Sequence, residues 1–239
     1  MQIIEIYRSL QGESSFAGLP CTFVRLMGCN LRCSWCDSEY TFQGGVRMAP
    51  EEVEAEIRRL TPLPEPAGQP QFGTASALVE ITGGEPMLHE RELVPLMERL
   101  LSRGYTLLLE TSGERALARV PEAVHKIVDV KCPQSGEGGS FRMENLHALT
   151  ARDEVKFVLA GREDYEFARD FVRQHSLEQR VASVLFSPAF SKSAAGTRDA
   201  SHCVLDPRLL AGWILDDALN VRLGLQIHKF IWDPALKGV

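Results

Sequence analysis

The chain has no surplus of positive charge. Its 26 Lys and Arg stand against 32 Asp and Glu, a net charge of −6, which argues against a general nucleic-acid surface, because phosphate binding needs clustered cations. It has no uncharged apolar run long enough to cross a bilayer, so no membrane span is expected. The opening Met-Gln-Ile-Ile-Glu carries neither a basic region nor a long apolar stretch, and no export signal is expected. Internal repeats, heptad arrays and low-complexity tracts are also missing. Six cysteines without an export segment point to a reducing, cytoplasmic setting rather than to disulfides. A second C-x2-C pair is lacking, which weakens the case for a closed four-ligand zinc site.

Against these absences stands one dense feature. Cys29, Cys33 and Cys36 occur in Gly28-Cys-Asn-Leu-Arg-Cys-Ser-Trp-Cys-Asp37, a C-x3-C-x2-C spacing. Three thiolates this close can ligate three irons of a cubane cluster and leave the fourth iron open for chemistry. A zinc site completed by Cys21, Cys132, Cys203 or a distant histidine, and unliganded thiols, stay open as alternatives at this point.

The chain of 239 residues, 44% hydrophobic, can bury a proper core. β-type runs at 3–7, 22–26, 77–82, 105–110, 127–130, 155–159 and 182–186 alternate with helical patterns, the order that builds parallel sheets. Pro50 opens a helix carrying Val53, Ile57 and Leu60, and Leu93, Leu96, Met97, Leu100 and Leu101 mark a second one closed by Gly104. Phe167, Phe171 and Val172 line a third, and Leu209, Trp213 and Ile214 a fourth, all as core stripes. Alternation of Leu223, Leu225 and Ile227 with Arg222, Gly224 and Gln226 predicts a last strand with one polar face. Residues 61–73, rich in proline, read as a loop, while 132–140 and 187–199 follow strands and are candidate covers over a substrate. Nothing marks a second domain, so a single α/β domain over 1–239 is expected.

A second run, Ile81-Thr-Gly-Gly-Glu-Pro86, ends a strongly apolar strand. Paired glycines let the backbone approach a ligand closely, although alone the run is also an ordinary strand-to-helix turn. Together with the cysteine triplet it resembles the radical S-adenosylmethionine superfamily. Glu110-Thr-Ser-Gly113 and Asp129-Val-Lys131, at the next two strand ends, match positions lining the cofactor there. In that superfamily S-adenosylmethionine chelates the open iron and is cleaved to a 5′-deoxyadenosyl radical that abstracts a hydrogen atom. The resemblance implies an incomplete β/α barrel with cluster and cofactor at the strand C-terminal ends.

A narrower match adds Ser9-Leu-Gln-Gly-Glu13, Arg25, Asp37-Ser38 and Gln226-Ile-His-Lys-Phe-Ile-Trp232. This combination resembles the 7-carboxy-7-deazaguanine synthase family from about residue 2 to 234, leaving 61–73 and the 235–239 tail unmatched. That resemblance implies a carbon–nitrogen lyase that converts 6-carboxy-5,6,7,8-tetrahydropterin to 7-carboxy-7-deazaguanine with loss of ammonia. It implies a [4Fe–4S] cluster on Cys29, Cys33 and Cys36, S-adenosylmethionine used catalytically, Mg²⁺, an electron donor not identifiable from the sequence, and a homodimer. S-adenosylmethionine is assigned Trp35, Cys36, Asp37, Gly84, Glu85, Ser112, Asp129 and Lys131. The substrate is assigned Leu10, Gln11, Gly12, Glu13, Arg25, Thr82 and His228. Ser38 stands where the family commonly has a threonine whose hydroxyl binds Mg²⁺; serine keeps the oxygen.

The residue types suit these roles. Arg25 offers a planar fork for a carboxylate, with a structural pair to Glu13 or Asp37 as the alternative. Gln11, Glu13 and Thr82 mix the donors and acceptors that a pterin edge requires. Two rivals account for less. A glycyl-radical-activating enzyme leaves residues 9–13 and 226–232 without a role. A non-catalytic zinc or iron–sulfur module explains only the cysteines.

Overall fold

The computed structural model describes residues 1–63, 77–191, 202–233 and 236–238. Among them are nine strands: β1 (Gln2–Leu10), β2 (Pro20–Leu26), β3 (Val46–Arg47), β4 (Leu78–Gly83), β5 (Thr106–Thr111), β6 (His125–Asp129), β7 (Glu154–Leu159), β8 (Ser183–Pro188) and β9 (Arg222–Leu223). They form one sheet in the order β3-β1-β2-β4-β5-β6-β7-β8-β9. β2 and β4 to β9 run parallel. β1 lies antiparallel to both its neighbours. β3 and β9 do not pair with each other among the described residues, so the sheet is an open, incomplete β/α barrel.

All but the last of the helices cover the outer face. α1 (Pro50–Leu60) starts with proline at its first position, and the Glu52 carboxylate accepts the Ala49 N–H at 2.6 Å, so one orphan donor of the helix start is satisfied. α2 (Glu90–Arg103) stops at Gly104, whose φ of 100° is the left-handed end that glycine takes without strain. α3 (Arg162–His175), a short α4 (Leu177–Arg180) and α5 (Pro207–Asp216) follow, and α6 (His228–Ile231) lies near the C-terminus. The outer core joins Val24, Leu26, Val79, Ile81, Leu107, Leu109, Val155 and Phe157 to the helix stripes.

The inner face carries the alternate residues. Its lower part is apolar, a cluster of Cys21, Phe23, Leu78, Leu108 and Ile127. Two residues further along the same strands the face turns polar, with Glu80, Glu110, Asp129 and, on β7, Lys156. A parallel strand end thus becomes a floor of charge resting on a plug of hydrocarbon.

Three expectations need correction. The last strand stops at Leu223, after which Gly224 N–H donates to the Phe186 carbonyl and the chain turns to give Ile227 N–H to the Gly12 carbonyl at 2.9 Å. It does not keep one polar face: Arg222 is exposed and Gln226 buried, and Leu223 and Leu225 are each 37% exposed. In α5 Ile214 is buried and Trp213 packs against the core, but the third core position is Leu210, while Leu209 is 54% exposed. The 132–140 segment does not cover the cavity. It braces the cysteine loop instead: Ser135 O accepts Ser34 N–H at 2.8 Å, and the Glu137 carboxylate accepts Arg32 N–H. Of the other irregular segments, 64–73 and 192–199 lie outside the described residues.

A candidate active site at the barrel mouth

A cavity of about 300 Å³ opens at the C-terminal ends of β2 and β4 to β7, where parallel α/β folds place their chemistry. Every residue assigned from the sequence lines it except Glu85. The Glu85 carboxylate points into protein and accepts from Thr111 Oγ1 at 2.7 Å, Ser112 N–H at 2.9 Å, Ser112 Oγ at 2.6 Å and Met87 N–H at 3.0 Å. The Glu85 side chain therefore fixes the β5 end rather than facing the cavity, which leaves the backbone of this residue to meet a cofactor. Gly84 does line the cavity. A Cβ there would fall on the Gly28 carbonyl oxygen and lie 2.8 Å from the Cys29 Cβ, so only glycine lets the strand end meet the cysteine loop.

The three cysteines of that loop face the same cavity, and none is in a disulfide. Burial pushes the Cys33 thiol up to about 11, and Asp129, Cys36 and Cys29 add to the rise against Lys131. Nearby, Lys131 Nζ donates to Asp129 Oδ2 at 2.8 Å, while the buried Asp129 Oδ1 has no partner among the described residues. Among the described residues no three His, Cys, Asp or Glu side chains close around a single ion. Three thiols on one loop, mutually close enough to perturb one another and set beside an unsatisfied acceptor, are a donor set that suits a cluster with a polar ligand next to it.

The loop between β1 and β2 crosses the inner face of the sheet. Gln11 Nε2 donates to Glu80 on β4, and Gln11 Oε1 accepts Glu13 N–H at 2.6 Å. Glu13 bonds Lys156 Nζ of β7 at 2.8 Å and accepts from Gln226 Nε2 at 2.8 Å. Phe16, further on, stands edge-on to His125 with ring centres 5.1 Å apart. Burial would raise the Glu13 carboxyl, but Lys156 beside it wins and holds it down at about 2. Lys156, which also meets the Glu110 carboxylate, is fully charged: burial alone would lower it, and the surrounding Glu110, Glu13 and Asp129 raise it well above the ordinary lysine value. Glu80 moves the other way, raised by burial and then by Glu110 and Glu13.

Arg25, on β2, pairs with Glu5 at 2.8 Å and the Tyr7 hydroxyl at 3.0 Å. Its ion pair is therefore with Glu5, not with Glu13 or Asp37. Those contacts use Nε and Nη2 and hold the fork against β1, under the ring of Tyr40, whose hydroxyl also reaches Glu5 at 2.8 Å. Thr82 is buried and donates to Glu110 at 3.3 Å. His228 stacks directly on Gly12, where a Cβ would collide with the imidazole ring; burial lowers its pKa, against Glu13. Ser38 Oγ lies 3.7 Å from Cys36 Sγ.

Sequence reading missed Tyr7, Tyr40, Glu80, Lys156 and Lys229. Lys229 is buried on α6, donates to Asp37 at 2.6 Å and to Gln226 at 2.7 Å, and so ties the C-terminal segment to the cysteine loop. The tail adds Leu236, Lys237 and Gly238 to the lining, with Lys237 Nζ 4.2 Å from the Tyr40 ring centre.

An open β/α barrel with three loop thiols and a glycine-rich strand end around one cavity defines a radical S-adenosylmethionine enzyme. The chain belongs to the 7-carboxy-7-deazaguanine synthase family. It is 66% identical over 239 residues to the 7-carboxy-7-deazaguanine synthase of Koribacter versatilis, covering all of both chains. To that of Chlorobaculum tepidum it is 38% identical over 242 residues, covering 100% of this chain and 97% of the relative. The crystal structure of QueE from Escherichia coli superposes with a TM-score of 0.67 at 25% identity, covering 94% of this chain and 92% of that one. Streptococcus suis SuiB, at 12% identity and a TM-score of 0.51, shares the fold over 84% of this chain and 45% of its own. No protein-family model matches the chain. As in its family, the cofactors are a [4Fe–4S] cluster and S-adenosylmethionine.

Proposed function

We propose that the chain is a carbon–nitrogen lyase that contracts 6-carboxy-5,6,7,8-tetrahydropterin to 7-carboxy-7-deazaguanine with release of ammonia. The observation that carries this reading is the single cavity in which the three motif thiols face Gln11, Glu13 and Arg25. The cluster and S-adenosylmethionine, when bound, supply the radical that takes and returns a hydrogen atom. Cys29, Cys33 and Cys36 hold the cluster. Trp35, Asp37, Gly84, Ser112, Asp129 and Lys131 hold S-adenosylmethionine, with the unpaired Asp129 Oδ1 as an acceptor for it.

The protein's part is to bind, orient and keep water out. Arg25 takes the substrate carboxylate, and Ser38 offers its hydroxyl to a Mg²⁺ ion at the same end. Glu13, held ionised by Lys156, accepts from ring N–H groups. Gln11, Thr82 and His228 complete the polar rim, and Leu10 and Gly12 supply backbone and apolar contact. The chain is one domain, works as a cytoplasmic homodimer and draws its electron from a separate donor; a monomeric mass in light scattering would contradict the dimer.

The test is anaerobic incubation of cluster-reconstituted protein with reductant, S-adenosylmethionine, Mg²⁺ and the carboxypterin. Product that has lost ammonia supports the reading. Cleavage of S-adenosylmethionine without that product would retain the radical chemistry and reject the substrate. For Arg25→Ala, cluster content and S-adenosylmethionine binding stay at the parent level while carboxypterin affinity falls between roughly tenfold and a hundredfold, the worth of hydrogen bonds to a charged group. Unchanged affinity in equilibrium binding would remove Arg25 from the substrate site.

A further inference from the structure

Glu80 is the one carboxyl on the cavity floor that no ion pair engages among the described residues, and it is 3% exposed. It stands two residues before Thr82 on the same face of β4. Burying such a group is costly unless it has a partner, and the partner here is Gln11, itself 3% exposed. The Gln11 carboxamide is held at both atoms: Nε2 donates to Glu80, and Oε1 accepts the Glu13 backbone N–H at 2.6 Å. Turning the amide over would set its NH₂ against that N–H, donor against donor. Of the two polar hydrogens on Nε2, Glu80 takes one, and the other is left for the cavity.

We propose that Glu80 is a positioning residue for substrate recognition: by accepting one Gln11 N–H, it holds the carboxamide so that its second N–H meets an acceptor on the substrate ring. On a pterin, the matching atom class is a ring carbonyl or an unprotonated ring nitrogen, while the N–H edge falls to the ionised Glu13. Glu80 reaches the substrate only through Gln11. Without it, the buried end of Gln11 has an N–H with no acceptor, and the side chain swings out of line. This inference rests on the reading above that Gln11 touches the substrate.

The experiment measures equilibrium binding of 6-carboxy-tetrahydropterin to cluster-loaded protein with S-adenosylmethionine and no reductant. Glu80→Met weakens binding about tenfold, the effect of one lost hydrogen bond. Glu80→Gln, whose carbonyl still accepts, stays within about threefold of the parent. Gln11→Leu weakens binding at least as much as Glu80→Met, and the double variant is no weaker than Gln11→Leu alone, since effects passing through one residue do not add. If Glu80→Met does not fold, Glu80→Asp carries the same test, because it keeps the carboxyl group and withdraws the acceptor by a methylene. Parent affinity in Glu80→Met or Glu80→Asp, or a double variant as weak as the product of the two single effects, would overturn the proposal. Parent affinity in Gln11→Leu would instead overturn the assignment of Gln11 to the substrate.

Discussion

Cys33→Ala is expected to abolish the cluster and with it all product, while Cys203→Ala keeps both. Iron should fall from about four per chain to near none, because a cubane held by three thiolates does not survive on two. The contrast follows from placement. Cys33 faces the cavity with Cys29 and Cys36. Cys203 lies in an isolated bridge to Phe190 and, unlike the three motif cysteines, does not line the cavity. Cys21 belongs to the hydrocarbon plug under the cavity, and Cys132 sits behind β6 with its thiol raised by burial and by Asp164. Iron and sulfide analysis of both variants after identical anaerobic reconstitution decides the matter. A cluster-free Cys203→Ala protein would transfer the ligand role, and a loaded Cys33→Ala protein would end the three-thiol assignment.

That prediction was legible in the sequence because the ligands are contiguous, so spacing alone sets their reach. The strand-end motifs were legible for a related reason: Gly84, Ser112, Asp129 and Lys131 end parallel strands, and parallel strands deliver their ends to one mouth. Glu80 and Lys156 escaped although each carries a signal. Along β4 to β7 the inner residues read Leu78-Glu80-Thr82, Leu108-Glu110-Ser112, Ile127-Asp129-Lys131 and Glu154-Lys156-Val158. A charge on the inner face of each of four largely buried strands is too costly to be incidental. Lys229 and Gln226 carried no such mark. Their segment alternates like a strand, and what turns it is the Ile227–Gly12 backbone bond, formed with residues at the other end of the chain. Local pattern cannot register a bond of that kind, and so the segment reads as a strand where it turns and brings Gln226 to the site.

Lys156→Met should produce the largest loss of stability, and its size should depend on pH in the reverse of the usual sense. Lys156 is 4% exposed and sits among Glu13, Glu110 and Asp129. In the parent, its raised pKa stabilises the fold at all pH values below the ordinary lysine value and is lost only as pH climbs through the folded one. Glu13, held at about 2, stabilises above the ordinary carboxyl value and loses that contribution as pH falls toward 2. These two groups therefore leave parent stability level between about pH 5 and 9. Methionine fills the space but removes the cation, so Glu13 and Glu110 lose their ion pair while Asp129 keeps Lys131. Without Lys156 the burial of Glu13 is no longer outweighed, so its pKa rises from the low folded value, the direction in which burial already moves Glu80, and the ionised carboxylate then opposes folding. The expected cost is about 3–5 kcal/mol at pH 8, the usual penalty for breaking a buried pair from one side. At pH 5 protonation relieves part of that strain, so the deficit relative to parent shrinks. Denaturant unfolding of parent and variant at both pH values measures it. An equal deficit at pH 5 and pH 8 would mean that packing, rather than charge, is what Lys156 contributes to the floor of the site.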